Sequence, residues 1–313
     1  MSLAVNLIYN ANMLSVRFWG VRGSIPCPGP DTVIYGGNTA CLEIRADDRL
    51  IIVDLGTGIR PLGDWLMEND YKKCGKISAD IFITHTHWDH ILGFPMFAPV
   101  YIPGTELRIT GPVSFEDDSL QSVVETQLSY RYWPVRAEEL AARIEYNQIK
   151  ETEIDLGGSL IVTSKFLNHP VLCLGYRFDY QGKSIAVVFD HEPFRNLFET
   201  NSSDPGYDGE TAKEGEIAAA EGNERIFNFI SGADIVIHDA QYLQDEYLRH
   251  IGWGHASFSH AIEAVKSADV KKLVFFHHDP SRTDTQLEQI EKKYANNGGA
   301  EIIMSKEGMI LQA

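Results

Sequence analysis

The stretch from Ile81 to Pro95, IFITHTHWDHILGFP, constrains this chain more than any other. It sets His85, His87, Asp89 and His90 within six positions, directly behind the apolar run Ile81, Phe82, Ile83, in a chain with only 11 histidines. Histidines two apart on the loop leaving a strand can turn both imidazoles to one cation, while Asp89 and His90 turn toward a neighbouring position. One motif therefore seeds two metal positions. Two ions about 3.5–4 Å apart can clamp the attacking and leaving oxygens of a displacement at phosphorus or carbon.

Each position still lacks ligands, so further His and Asp residues are expected where other strands end. His169 follows the predicted strand 159–167 in FLNHP, Asp190 ends SIAVVFD, and His277 ends KLVFFH. FFHHDP leaves two choices for the last ligand, His277, the first residue past the apolar strand, and His278. Ligands that are all imidazole and carboxylate suit Zn²⁺, Mn²⁺ or Fe²⁺. Two divalent ions are expected, zinc first and manganese second.

Around these residues the first half reads as strand-rich, with LSVRFW (14–19), ACLEIRA (40–46) and RLIIVD (49–54) separated by Gly and Pro clusters. A helix is expected over 59–69, a strand over 79–84, mostly helix over 115–142, and strands over 144–149, 159–167, 171–179 and 183–189. Beyond these, strand 234–238, helices 241–249 and 258–267, strand 271–276, helix 283–296 and strand 300–304 follow. NSSDPGYDGETAKEGE (201–216) reads as a surface loop. Mixed sheets covered by helices are the expected architecture. Residues 1–13 read as an N-terminal extension, and 14–313 as a single domain carrying an insert at about 105–150.

Formal charge is −17 with a pI near 5.0, a field that repels polyanions on average. Neither tRNA nor DNA is therefore expected as a partner, and a small anionic substrate is. Cys27, Cys41, Cys74 and Cys173 show no CxxC spacing, which suggests a reducing compartment. No apolar run approaches the roughly 20 residues of a membrane span, and the first basic residue is Arg17. No membrane association is expected, and the location expected is cytoplasmic.

THTHWDH resembles the HxHxDH signature of the metallo-β-lactamase superfamily, and IIVDLGTG resembles its first motif. The resemblance spans roughly residues 14–311. It implies an α/β (α+β) fold, a four-layer αβ/βα sandwich of two mixed β-sheets flanked by helices, with a dinuclear centre at one edge. By that pattern His85, His87 and His169 hold one metal, Asp89, His90 and His277 the other, and Asp190 bridges. Asp54 either orients a ligand histidine or is a strand-end turn carboxylate.

VIHDAQYL (236–243) and GWGHASFSHA (252–261) are similar to paired motifs of the ribonuclease Z and cyclic-phosphodiesterase branch. The resemblance implies that His255 protonates the leaving oxygen while Asp239 orients it, with a hydroxide between the metals attacking phosphorus. GHAS also reads as a helix start capped by Ser257. FWGVRGSIPCPGP and YGGNTACLEI resemble the same branch, so Gly20, Gly23, Asn38, Thr39 and Arg22 either face a phosphate or form turns. Tyr130, Tyr132 and Trp133 could stack on a purine, although packing is the first reading for most of them, as for Phe94, Phe97 and Tyr101. His191 and His278 flank proposed ligands, His238 ends a strand, and His250 and His260 are expected at the surface. Relatives of the fold are often homodimers.

The reading reached is a phosphodiesterase for small, cyclic phosphodiesters such as cyclic nucleotides or ribosyl cyclic phosphate. Thioester or lactone hydrolysis at the same centre is the alternative, and a non-hydrolytic di-iron sensor or redox protein the third. Di-iron relatives replace a motif histidine by a carboxylate, and here His85, His87 and His90 are all present.

Overall fold

The computed structural model describes residues 13–113, 118–295, 297 and 299–313. Nearly all of the expected N-terminal extension, and the start of the helix expected at 115–142, lie outside them.

Two seven-stranded sheets face each other. The first contains β1 (Leu14–Gly20), β2 (Cys41–Ala46), β3 (Arg49–Val53), β4 (Ser78–Phe82), β5 (Glu106–Pro112) and β6 (Arg143–Ile149). The second contains β7 (Glu153–Gly157), β8 (Leu160–Leu167), β9 (Cys173–Tyr180), β10 (Lys183–Val188), β11 (Ile235–Asp239), β12 (Lys272–Phe276) and β13 (Glu301–Met304). A final strand, β14 (Ile310–Gln312), returns to the first sheet beside β1. Each sheet is antiparallel over one half and parallel over the other: β3 to β6 run parallel, as do β10 to β13.

Strand periodicity explains the layering. In β10, Ile185 and Val187 point into the space between the sheets, while Ala186 and Val188 point outward under helices. Both faces are buried, so the strand reads as a continuous apolar run rather than an alternation. Val16, Phe18, Ile44, Val53 and Phe82 of one sheet meet Tyr176, Phe178, Ile237 and Phe276 of the other. Helices Gly209–Ile230, Phe258–Lys266 and Asp284–Tyr294 cover the second sheet, and Ile59–Leu66 covers the first. The four layers expected from the sequence are present.

Three local expectations fail. Residues 201–216 are a loop only to Asp208, whose side chain accepts from Thr211 N–H and starts a 22-residue helix over Gly209–Ile230. Its Ala, Glu and Lys content favours helix, but only a thin stripe including Ile226, Phe229 and Ile230 is buried, too little to stand out as an amphipathic pattern. The described part of 115–142 is helical only at Leu120–Glu125 and in short 3-10 turns. In 241–249 the α-helix is Gln244–Tyr247 alone.

The parallel strands set up the site, because in open α/β sheets ligands gather beyond the carboxyl ends of strands. Asp54 follows β3, the His85–His90 stretch follows β4, Asp190 follows β10, Asp239 ends β11, and His277 follows β12. Two bonds between the sheets fix the motif from below: Tyr176 Oη–H donates to Ile83 O (2.7 Å) and Leu174 N–H to Thr84 O (2.8 Å).

Candidate metal centre

Three of these strand-end residues leave the strand in the left-handed region, with φ of 62° at Asp54, 49° at Asp190 and 62° at His277. None is glycine, and such a conformation costs energy that the surroundings must override. Here it turns each side chain back across the strand end, toward the others.

Asp190 lies at the centre. Its Oδ2 is 3.5 Å from His85 Nε2 and 3.8 Å from His169 Nε2, while its Oδ1 is 3.3 Å from His90 Nε2 and 3.2 Å from His277 Nε2. One oxygen faces each group of histidines. His87 Nδ1 lies 3.1 Å from His169 Nε2, completing the first group. Asp89 Oδ2 is 3.1 Å from His277 Nε2 and 3.3 Å from His90 Nε2, completing the second. The donor atoms of His85, His87, His169 and Asp190 lie within 4.8 Å of one another, and so do those of Asp89, His90, Asp190 and His277.

The residues fit divalent cations on two further grounds. His85 Nε2 and Asp190 Oδ1 are buried with no hydrogen-bond partner, a cost that a cation in each group would remove. Two of the ring nitrogens facing away from the cluster are held as ligating histidines usually are. His90 Nδ1–H donates to Asp54 Oδ2 (2.7 Å), and His169 Nδ1–H donates to Gly254 O (3.0 Å). Asp54 is itself fixed by Thr84, whose N–H and Oγ1–H donate to it at 2.7 and 2.8 Å. Burial lowers His85 far below its ordinary value and His169 to about 4, so both favour the neutral imidazole that binds metal. Burial would raise Asp89, but His90 and His277 hold its carboxyl well below the usual range.

A second pair stands beside the cluster. His255 Nδ1–H donates to Asp239 Oδ2 (2.8 Å), its ring stacks on His277 at 5.0 Å, and Nδ1 is 4.0 Å from Asp190 Oδ2. Burial alone would lower His255, yet Asp239 and then Asp190 outweigh it and raise the imidazolium to about 9. Ser257 caps the next helix by accepting from His260 N–H (3.2 Å), so the motif also carries the capping role read from GHAS.

Other sequence candidates are engaged elsewhere. Arg22 is fully buried; its guanidinium donates to Gly36 O (2.8 Å), Arg282 O (2.7 Å) and Asp279 O (3.3 Å) and faces Asp284 (3.9 Å). Asn38 donates to Glu307 through its backbone N–H and its side chain, and Thr39 exchanges bonds with Thr57. Of the two readings open for Arg22, Asn38 and Thr39, phosphate contact or turns, these contacts match the second: the side chains clamp loops together. Gly20 is packed against Thr39 O, where a Cβ would sit at 1.8 Å, and Gly23 lies against the His277 ring. That loop reaches the cluster through a residue the sequence did not single out, Ser24, whose N–H donates to Asp89 Oδ2 (2.7 Å).

His278 turns away to Ser305 O (2.9 Å), which leaves His277 at the cluster. His191 accepts from Asn168 N–H (3.1 Å), and His238 lies within β11. His250, stacked on Tyr242, and His260, against Tyr247, are half-buried rather than at the surface. Phe94 and Phe97 are core, whereas Tyr130 and Tyr132 are 55% and 67% exposed, contrary to the packing expected of them. Trp133 is half-buried and donates to Tyr101 Oη (3.0 Å). Tyr132 and Trp133 line a cavity of about 540 Å³ together with Thr86, Trp88, Leu92 and Met96.

Two sheets under helices, with His and Asp side chains converging at the strand ends, define a metallohydrolase class, and residues 34–178 match the family model described as the metallo-beta-lactamase superfamily. The matches support a metal-dependent hydrolase of the metallo-β-lactamase superfamily, with that family's domain over residues 34–178. Among curated relatives, a Ribonuclease Z from Clostridium tetani is 23% identical over 299 residues, 88% of this chain and 91% of that one. A Ribonuclease Z from Lactococcus lactis is 29% identical over 224 residues, 63% of this chain and 69% of that one. Of solved structures, the metallo-beta-lactamase fold protein YhfI from Bacillus subtilis superposes with a TM-score of 0.64 at 15% identity, covering 96% of this chain and 100% of its own. Human tRNase Z, short form, superposes with a TM-score of 0.61 at 17% identity, covering 95% and 98%.

These relatives overturn the expectation that tRNA is excluded as a partner: they are named ribonucleases, and one of the superposed structures is a tRNase. Net charge averages the whole surface, whereas binding follows the local field at the site, where cations, if bound, would dominate. Among the described residues no helix is long and apolar enough to cross a membrane.

Proposed function

We propose that this chain is a dinuclear metal-dependent phosphodiesterase. His85, His87 and His169 would hold one divalent ion and Asp89, His90 and His277 the other, with Asp190 shared, Zn²⁺ being the first choice and Mn²⁺ the second. When bound, such ions supply Lewis-acid neutralisation of the phosphate charge and activate water.

The protein's own groups handle the proton and the geometry. His255 commits Nδ1 to Asp239 and keeps Nε2 for the leaving oxygen; an alkoxide leaving from phosphorus needs that proton. Asp239 keeps the imidazole charged and oriented, as a carboxylate beside histidine does. Asp54 holds His90, and Gly254 O holds His169, so neither ring is free to swing. The observation that carries this reading is the 2.8 Å His255–Asp239 pair standing against the His277 ring.

Two substrate readings follow. A small cyclic phosphodiester, such as a cyclic nucleotide or a ribosyl cyclic phosphate, matches the groups described, which are aimed at one phosphate. An RNA phosphodiester is favoured by the ribonuclease Z relatives. Initial rates on 2′,3′- and 3′,5′-cyclic AMP, a short RNA, a thioester and a lactone separate these. Turnover of a phosphodiester that drops in His255→Ala with metal content unchanged supports the proposal. Turnover of only the thioester or lactone, or equal loss of activity and metal in His255→Ala, overturns it.

A further inference from the structure

Glu192 is a buried carboxylate that the proposed chemistry does not use, with only 3% of its surface exposed. Burying such a group is costly unless it is fully hydrogen-bonded. Its oxygens accept from Gly252 N–H (2.9 Å to each oxygen), Gly254 N–H (3.0 Å) and Tyr247 Oη–H (3.0 Å). The nearest ion-pair partner is Arg195 at 3.8 Å, itself 44% exposed at its side chain. Glu192 is thus spent on gathering the backbone of one loop, the Gly252–Gly254 turn that delivers His255.

That turn also serves a second histidine. Gly254 O accepts from His169 Nδ1–H, and the glycine is required: its φ is +85° and a Cβ would fall 2.2 Å from His169 Nδ1. The backbone of Glu192 grips the other side of the same histidine's segment. Its N–H donates to Asn168 O (3.0 Å), and its C=O accepts from Asn168 Nδ2–H (3.0 Å). One residue, two places after Asp190, therefore ties together the segments bearing Asp190, His169 and His255.

We propose that Glu192 is the positioning residue that sets His169 and His255 in register about Asp190. It fixes the Gly254 carbonyl that aims the His169 ring into the cluster, and it holds the residue that hands His255 to Asp239. This rests on the function proposed above only for the His255 arm; the His169 arm is tested by metal binding alone.

The test compares wild type, Glu192→Gln, His255→Ala and the double variant, loaded with Zn²⁺. Glutamine keeps the shape but sets an NH₂ against the two glycine N–H groups. Second-layer contacts of this kind are worth about 10- to 100-fold in metal affinity or activity. Expected for Glu192→Gln are a 10- to 100-fold weaker first-dissociating ion and a comparable fall in kcat on 2′,3′-cyclic AMP, whose leaving group is an alkoxide, with KM little changed. The kcat loss should shrink when His255 is already alanine, because residues acting through one another are not additive. Wild-type affinity for both ions overturns the His169 arm, and a kcat loss that multiplies fully with His255→Ala overturns the His255 arm. If the wild type cleaves no phosphodiester, the function proposed above fails while the ion affinities still decide the His169 arm. Should Glu192→Gln fail to fold, Tyr247→Phe, which removes one donor to Glu192, is expected to give the same pattern at smaller amplitude, and no change in ion affinity overturns the proposal.

Discussion

Replacing Asp239 by Asn should move the alkaline limb of the rate profile more than it moves anything else. The carboxylate sits 2.8 Å from His255 Nδ1 and is the leading influence raising that imidazole to about 9 against the opposing effect of burial. Asparagine keeps the size and can accept the same hydrogen bond, but removes the charge. With burial still acting and only Asp190 and Asp89 left to oppose it, His255 should fall toward its ordinary value near 6.5, a change of up to about 3.5 kcal/mol at about 1.4 kcal/mol per pH unit. A general acid works while protonated, so activity is present below its pKa and lost as pH rises through it. At pH 8 the protonated fraction would drop from about 0.9 to about 0.03, and kcat by about 30-fold, whereas at pH 6 the loss should be only a few-fold. Cations bound at the cluster would lower His255 in both proteins alike, so the displacement between the two profiles carries the prediction. The assay is kcat against pH from 5 to 10 on a substrate with an alkoxide leaving group. An alkaline limb at the same pH in both proteins would refute the reasoning.

Three further outcomes follow. Asp54→Asn, which weakens the grip on His90 Nδ1, should reduce affinity for one ion by about 10- to 100-fold, measured by chelator competition; unchanged affinity would mean that Asp54 serves only the turn. Arg22→Ala should cost about 3–5 kcal/mol in denaturant unfolding, because it strands buried carbonyls and Asp284, while leaving KM unchanged in whatever protein remains folded; a raised KM without loss of stability would make Arg22 a substrate ligand after all. His278 is lowered to about 3, by burial first and by the Arg22 and His277 charges, against the Ser305 bond that opposes it. A folded value below the unfolded 6.5 gives stability that is complete above pH 6.5 and lost as pH falls toward 3, up to about 5 kcal/mol at about 1.4 kcal/mol per pH unit. A variant such as His278→Gln should flatten that acid limb in urea titrations, and an unchanged limb would contradict the assignment.

The site was legible where chemistry is local in sequence. HTHWDH places its donors within one turn, and Asp190 and His277 each end an apolar run, so strand ends could be read as places where side chains converge. Asp239 and His255 were legible only through resemblance, since an Asp and a His 16 positions apart carry no spacing signal. Arg22, Asn38 and Thr39 were left between two readings because a Gly-rich loop with an arginine looks alike whether it cradles a phosphate or clamps its neighbours; the burial of Arg22 and Thr39 favours the second. Ser24 and Glu192 act through a backbone N–H or upon backbone N–H groups, and no residue-type pattern announces that. The helix at Gly209–Ile230 was hidden by its polarity, with Glu, Lys and Arg along most of its exposed face. Net charge, a property of the whole chain, could not speak for one cleft.

The most direct test of the central claim is hydrolysis of bis(p-nitrophenyl) phosphate by protein stripped of metal and then reloaded separately with Zn²⁺ or Mn²⁺, beside Asp190→Ala treated alike. Asp190 presents one oxygen to each group of histidines, so its loss should disable both halves of the centre. The account predicts no turnover in the stripped protein, restored turnover with two ions bound per chain, and none in Asp190→Ala. Turnover that survives stripping, or that Asp190→Ala retains, would contradict it.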